Sequence, residues 1–250
     1  MNLTIAGYRS VSLMDVHGHP SFALWVCGCN LRCPYCHNWK IASNDTSICK
    51  QVPIDSVLDP LKRSSKLVDY LHVTGGEPLL HVKALKELFE AARSLGLRVS
   101  VNTNLTLPRE LEGLLKEGLV DHVATDLKAP FNVMSGLSGD SGPLWADYLE
   151  SLRLIRNYEV TLELRVPVAR GLTVKHIAGL LSKVGPLLKG VKRMYCVVNP
   201  LVGPPLTEPR DVSWAKNYCD PPDEEVRKVA KLVSRALNVR TYVKRWCEHN

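Results

Sequence analysis

Short apolar, β-branched runs alternate along this chain with longer stretches whose apolar residues recur every three or four positions. SFALWV (21–26), LVDYLHVT (67–74), LRVSVN (97–102), VDHVATDL (120–127), VTLELRVPV (160–168) and VKRMYCVV (191–198) have the composition of strands. Between them, Val82, Leu85, Leu88, Phe89, Ala92 and Leu95 fall on one helical face, and Gly96 supplies a stop. Comparable helical runs occupy about 108–117, 143–157 and 173–189, and a further helix is expected at 223–237 ahead of a short strand in VRTYVKRW. Repeated alternation favours parallel strands joined by right-handed crossovers. Six such units suit an α/β fold of the incomplete (β/α)6 TIM-like barrel type, with a doubly wound open sheet as the alternative. Residues 200–222 contain six prolines and predict an irregular ordered loop. The expected organisation is one domain over 1–250, with a lead-in at 1–20, a barrel core at 21–199 and a C-terminal loop and helix extension at 200–250.

Composition narrows the class. A chain of 250 residues with 45% hydrophobic content can bury a sizeable core. Its longest apolar runs, such as Phe22 to Cys27, fall far short of the roughly 20 residues of a membrane span. MNLTIAGYRS has no basic segment leading into an apolar one, so no membrane association and a cytoplasmic location are expected. The net charge of +7 suits an anionic partner. Basic and acidic residues nevertheless interleave in stretches such as DEEVRKVAKLVSRAL, as on a solvated surface, and nucleic acid is left open as a partner.

The eight cysteines are distributed unevenly. Cys29, Cys33 and Cys36 lie in CNLRCPYCHN directly after the first barrel strand, whereas Cys27, Cys49, Cys196, Cys219 and Cys247 are scattered. In a reducing cell the bunch reads as metal-binding rather than disulfide-forming. Three thiolates can ligate three irons of a [4Fe-4S] cluster and leave the fourth to a non-protein ligand. A zinc site completed by His37 or Cys27 is the alternative. TGGEP at 74–78 and NTN at 102–104 end the next two strands, and a zinc knot requires neither. Cys27 is expected as a small buried hydrophobe, and no second cluster motif is present.

With C-x3-C-x2-C, GGEP and NTN in strand order, the chain resembles the radical S-adenosylmethionine superfamily. CNLRCPYCHN, TGGEP, NTN and TDLKAP are similar more narrowly to the glycyl-radical-enzyme activases, especially anaerobic ribonucleotide reductase activating proteins. The resemblance covers roughly residues 5–200. It implies one [4Fe-4S] cluster on Cys29, Cys33 and Cys36, with S-adenosylmethionine chelating the open iron and yielding methionine and a 5'-deoxyadenosyl radical on reduction. Tyr35 matches an aromatic position near the adenine, and Gly75, Gly76, Glu77 and Pro78 match the segment receiving the cofactor's amino group. Thr103 and Asp126, with Asn102 where related activases often carry an acid, match a region that can hold a monovalent cation, and Asn104 is expected with them at the cofactor. Lys128 and Arg165 match basic positions near cofactor or substrate. Leu105 occupies a position often filled by glycine, and HGHP at 17–20 departs from the usual proline-glycine pair. His17 and His19 read as ordinary turn or packing residues.

The resemblance implies a glycyl radical enzyme as partner and a reducing electron donor such as flavodoxin or ferredoxin. Two other functions compete: radical modification of a small molecule or nucleotide, and a zinc-dependent nucleic-acid-binding module.

Overall fold

The computed structural model describes residues 1–137, 139 and 141–244. Cys247 and the end of the strand expected in VRTYVKRW lie outside the described residues. The chain forms two compact units interleaved in sequence.

The first unit comprises Met1–Asn30, Asn38–Ala124 and Tyr158–Thr161. It contains β1 (Asn2–Val16), β2 (His19–Val26), α1 (Trp39–Ala42), β3 (Lys50–Pro53), α2 (Asp55–Ser64), β4 (Tyr70–Gly75), α3 (Val82–Ser94), β5 (Arg98–Asn102), α4 (Pro108–Lys116) and the start of β6 (His122–Asp126). Its strands run in the order β3-β1-β2-β4-β5-β6. The β1 ladders to β2 and β3 are antiparallel, and β2, β4, β5 and β6 pair in parallel.

Alternation along the parallel strands decides where the core sits. Leu71, Val73, Val99, Val101 and Val123 are fully buried on one face. Helix α3 buries Leu85, Leu88, Phe89 and Ala92, the spacing of a single helical stripe. Truncating Leu88 to alanine would cost about 2–5 kcal/mol. Gly96 closes α3 as expected, its amide donating to the Arg93 carbonyl while Leu97 N–H donates to Ala92. The opposite strand face is polar: Ser100 Oγ lies 2.8 Å from both His72 Nδ1 and His122 Nδ1, all three residues being buried. At the C-terminal ends of the same strands stand Thr74 and Asn102, and beyond them the loops that carry the sequence motifs.

The second unit comprises Leu31–His37, Thr125–Asn157 and the described residues from Leu162 on. It contains α5 (Phe131–Ser135), α6 (Gly142–Ile155), β7 (Thr161–Val168, its first residue in the first unit), α7 (Thr173–Leu188), β8 (Arg193–Pro200), α8 (Val212–Tyr218), α9 (Asp223–Leu237) and β9 (Thr241–Val243). Here the strand order is β7-β8-β9, and β8 pairs with β9 in parallel.

Two expectations change. Residues 1–20 are more than a lead-in, since β1 fills most of them. The proline-rich stretch 200–222 is not wholly irregular. Asp211 caps α8, its Oδ1 accepting from Trp214 N–H at 2.8 Å, which gives seven residues a helical start between the flanking prolines.

Candidate active site

In the first unit, three motif segments are tied together by side chains. Glu77, fully buried, accepts Thr103 Oγ1–H at 2.7 Å and Leu79 N–H at 3.0 Å on Oε1, and Asn104 N–H at 2.7 Å on Oε2. A buried carboxylate needs this many donors to offset its lost hydration. Asn104 Nδ2 in turn donates to Asn30 Oδ1 at 2.8 Å and lies 3.9 Å from Cys29 Sγ. The ring closes through Thr106: Asn30 Nδ2 donates to Thr106 Oγ1 at 2.7 Å, and Thr106 Oγ1–H donates to Asn104 Oδ1 at 2.6 Å. Asn104 therefore links the GGEP glutamate to the first loop cysteine. Asn30 and Thr106 escaped the sequence reading, because amide and hydroxyl side chains in loops carry no spacing signal. Asn102 Nδ2 donates to Thr74 Oγ1 at 2.9 Å, which joins neighbouring strand ends.

The glycines of GGEP have a steric role. A Cβ on Gly76 would lie 2.0 Å from the Gly28 carbonyl oxygen, and one on Gly75 would lie 2.5 Å from that of Val26. Gly76 N–H donates to Val26 and Glu77 N–H to Gly28, so this segment lies directly on the start of the cysteine loop. The close approach at Gly76 is to the backbone of Gly28. Leu105, where glycine was noted as usual, adopts φ +59° and is fully buried, so its side chain packs despite a conformation that disfavours it.

Cys27 is buried as expected, but it is not a thiol. It forms a disulfide with Cys49, so it cannot complete a zinc site. The physical reason is placement. β2 ends at Val26 and β3 begins at Lys50, both pair with β1, and the two cysteines come within 6.1 Å at Cα. The cysteine loop is anchored there by further bonds: His81 Nε2 donates to the Cys27 carbonyl at 2.6 Å and Gly28 N–H to Ile41.

In the second unit, Cys33 is held against α5. Arg32 N–H donates to the Ser135 carbonyl, and a Cβ on Gly136 would lie 1.9 Å from the Arg32 carbonyl oxygen. Burial pushes the Cys33 thiol up to about 11; the nearby Lys128 charge opposes this, while Cys36 and Asp126 reinforce it. Tyr35 packs in an apolar cluster with Met134, Ala169, Leu201 and Trp214, its ring 5.9 Å from the Trp214 ring. Burial, then the adjacent Cys33, drives its hydroxyl pKa well above the usual range. His37 is shifted down, chiefly by burial. Lys128, buried, lies 3.3 Å from Asp126 Oδ2. Arg165 Nε donates to Glu163 Oε1 at 2.5 Å, and Tyr195 O–H donates to Glu163 Oε2 at 2.6 Å. Burial opposes the Arg165 charge, but Glu163 and Asp126 outweigh it and raise its pKa.

No group of three or more His, Cys, Asp or Glu side chains is already gathered as a metal site among the described residues. The donor set nevertheless fits an iron-sulfur cluster with an open position. Within residues 27–49 the disulfide removes two sulfurs and leaves three partly exposed cysteines outside any disulfide, Cys29, Cys33 and Cys36.

Comparison with known proteins extends this reading. The radical SAM superfamily model matches residues 25–184. A Methanocaldococcus jannaschii protein provisionally named a glycyl-radical enzyme activating enzyme is 33% identical over 132 residues, 53% of each chain. A 7-carboxy-7-deazaguanine synthase of Hyperthermus butylicus is 33% identical over 128 residues, 49% of each chain. The chain thus spans about half the length of the curated relatives it matches. Among solved structures, TYW1 with a lysine-pyruvate adduct aligns with 86% of this chain and 73% of its own, at TM-score 0.57 and 14% identity. The enzyme anSMEcpe with bound AdoMet and a peptide aligns with 86% of this chain and 60% of its own, at TM-score 0.55 and 20% identity. These likenesses show the fold, the α/β incomplete (β/α)6 TIM-like barrel with a C-terminal extension. No helix among the described residues is long and apolar enough to cross a membrane. With C-x3-C-x2-C, GGEP and NTN all inside or bordering the matched span, the chain belongs to the radical SAM superfamily, whose enzymes use a [4Fe-4S] cluster and S-adenosylmethionine.

Proposed function

We propose that this radical SAM enzyme is an activase that takes a hydrogen atom from a glycine of a separate glycyl radical enzyme. The observation that carries the reading is the 33% identity over 132 residues to the Methanocaldococcus protein named for that activity. Cys29, Cys33 and Cys36 hold one cluster, and S-adenosylmethionine binds beside it. When bound, this pair supplies the radical chemistry on reduction by a donor such as flavodoxin or ferredoxin.

The residues of the chain supply position. Asn104, fixed by Glu77, Asn30 and Thr106, offers an amide N–H toward the Cys29 sulfur and so orients that ligand. The Lys128 charge lowers the Cys33 thiol pKa, against the larger effect of burial. Gly75, Gly76 and Pro78 set the backbone on which the cofactor's amino group rests. Asn102, Thr103 and Asp126 border its carboxylate, with a monovalent cation as a further occupant. Tyr35 borders the adenine, and Lys128 and Arg165 face its anionic groups.

A second reading is radical modification of a small molecule. The similar identity to 7-carboxy-7-deazaguanine synthase favours it. One experiment separates them. The reduced enzyme and S-adenosylmethionine are mixed anaerobically with a co-encoded glycyl radical enzyme, and electron paramagnetic resonance is recorded on the partner. A partner-borne glycyl radical is expected. Radical-free, well-folded partners together with turnover of a small heterocyclic substrate would replace the activase reading with the second.

A further inference from the structure

We propose that Glu163 and Tyr195 are positioning residues that hold the Arg165 guanidinium in one orientation, presenting its two Nη groups to an anionic group of bound S-adenosylmethionine. This rests on the reading that Arg165 belongs to the cofactor site. Glu163 and Arg165 are two residues apart on β7 and therefore share a face. Glu163 is 5% exposed, and a carboxylate so buried is tolerated only when its oxygens are satisfied. Arg165 Nε satisfies Oε1, and Tyr195 O–H, from β8, satisfies Oε2.

That geometry assigns the guanidinium's parts. The Nε–H is committed to Glu163, which fixes the plane of the fork. Neither Nη group has a hydrogen-bonded protein partner among the described residues, so four N–H donors on a fixed plane are left for a ligand. Tyr195 is itself braced, its ring edge-on to Tyr242 of β9 at 6.0 Å, with the Arg240 guanidinium 5.0 Å over the Tyr242 ring. Three successive strands thus hold one cation. Orientation matters because a rotating arginine must lose side-chain entropy on binding, whereas a fixed one has already lost it on folding.

The test is anaerobic calorimetric titration of S-adenosylmethionine into the cluster-loaded protein, with circular dichroism and melting as folding controls. Glu163→Gln should weaken affinity about tenfold and Tyr195→Phe about threefold. In an Arg165→Ala background, adding Tyr195→Phe should change affinity less than about twofold, since the group it orients is gone. A merely structural role would give independent, additive losses. If Glu163→Gln fails to fold, Tyr195→Phe, which removes a single hydroxyl, still decides the matter. Weak binding by Arg165→Ala with parental binding by Tyr195→Phe would overturn the positioning role alone. Parental affinity in Arg165→Ala would overturn the cofactor-site reading of Arg165, and the proposal with it.

Discussion

Two single atoms show how tightly the site's frame is set. A methyl group on Gly136 would meet the Arg32 carbonyl at 1.9 Å, just ahead of Cys33, and one on Gly76 would meet Gly28 at 2.0 Å, just ahead of Cys29. Neither contact is with the end of a flexible side chain, so the backbone has to move. Gly136→Ala and Gly76→Ala should each cost about 3 kcal/mol or more, read by chemical denaturation, with iron loading reduced in whatever fraction stays folded. Parental stability in either would mean that the loop backbone yields freely. A second residue-scale prediction comes from Cys196, whose thiol burial pushes up to about 12 from 9.0. Between these values the unfolded chain releases a proton that the folded chain keeps. The contribution is therefore fully present below about pH 9 and is lost as pH rises toward 12. Denaturation across pH 8–11 should show a shallower loss in Cys196→Ala than in the parent; parallel slopes would remove Cys196 as a cause.

At the scale of elements, what the sequence made legible follows from what each element buries. β4 and β5 were readable because apolar residues alternate with polar ones, Leu71 and Val73 in one and Val99 and Val101 in the other, and α3 because Leu85, Leu88, Phe89 and Ala92 keep one stripe. β1 was not. Its ladder with β2 shifts register after Ile5, Arg9 and Ser12, so Leu13 and Met14 are both exposed and no alternation survives to be seen. α2 was hidden by Pro60 in its interior, and α8 by the prolines around it. The cysteine spacing disclosed the three loop thiols, but it could not disclose that Cys27 and Cys49, 22 residues apart, meet across two strands of the same sheet. That bond closes a loop holding all three. On loop length alone it stabilises the fold by about 3 kcal/mol. Thiol titration of denatured protein should therefore find two more thiols after reduction, and Cys49→Ser should melt several degrees lower. Equal thiol counts before and after reduction would show that the bond is not formed.

At the scale of the whole molecule, the cysteines among the described residues divide by environment into distinct chemistries, and this sorting sets the metal content expected of them. Cys27 and Cys49 are withdrawn by their disulfide, and Cys196 and Cys219 are buried, with thiols pushed up to about 12 and about 11, chiefly by burial. Burial raises the Cys33 thiol as far as that of Cys219, so the difference lies in access: Cys33 is partly exposed, whereas Cys196 and Cys219 are buried. What is left among the described residues is the set Cys29, Cys33 and Cys36. Three thiolates support one cluster with an open iron, so anaerobic reconstitution should give about four irons and four sulfides per chain. Alanine at any of the three should remove most of that iron. Cys219→Ala should leave it intact, because Cys219 sits with Ala215 and Leu201 in an apolar cluster. A zinc site makes the opposite demand: about one zinc per chain, colourless protein, and dependence on His37 as fourth ligand. Iron near eight per chain would require a second cluster and overturn the sorting itself. Stoichiometric zinc that survives loss of Cys29 would overturn the assignment of the loop.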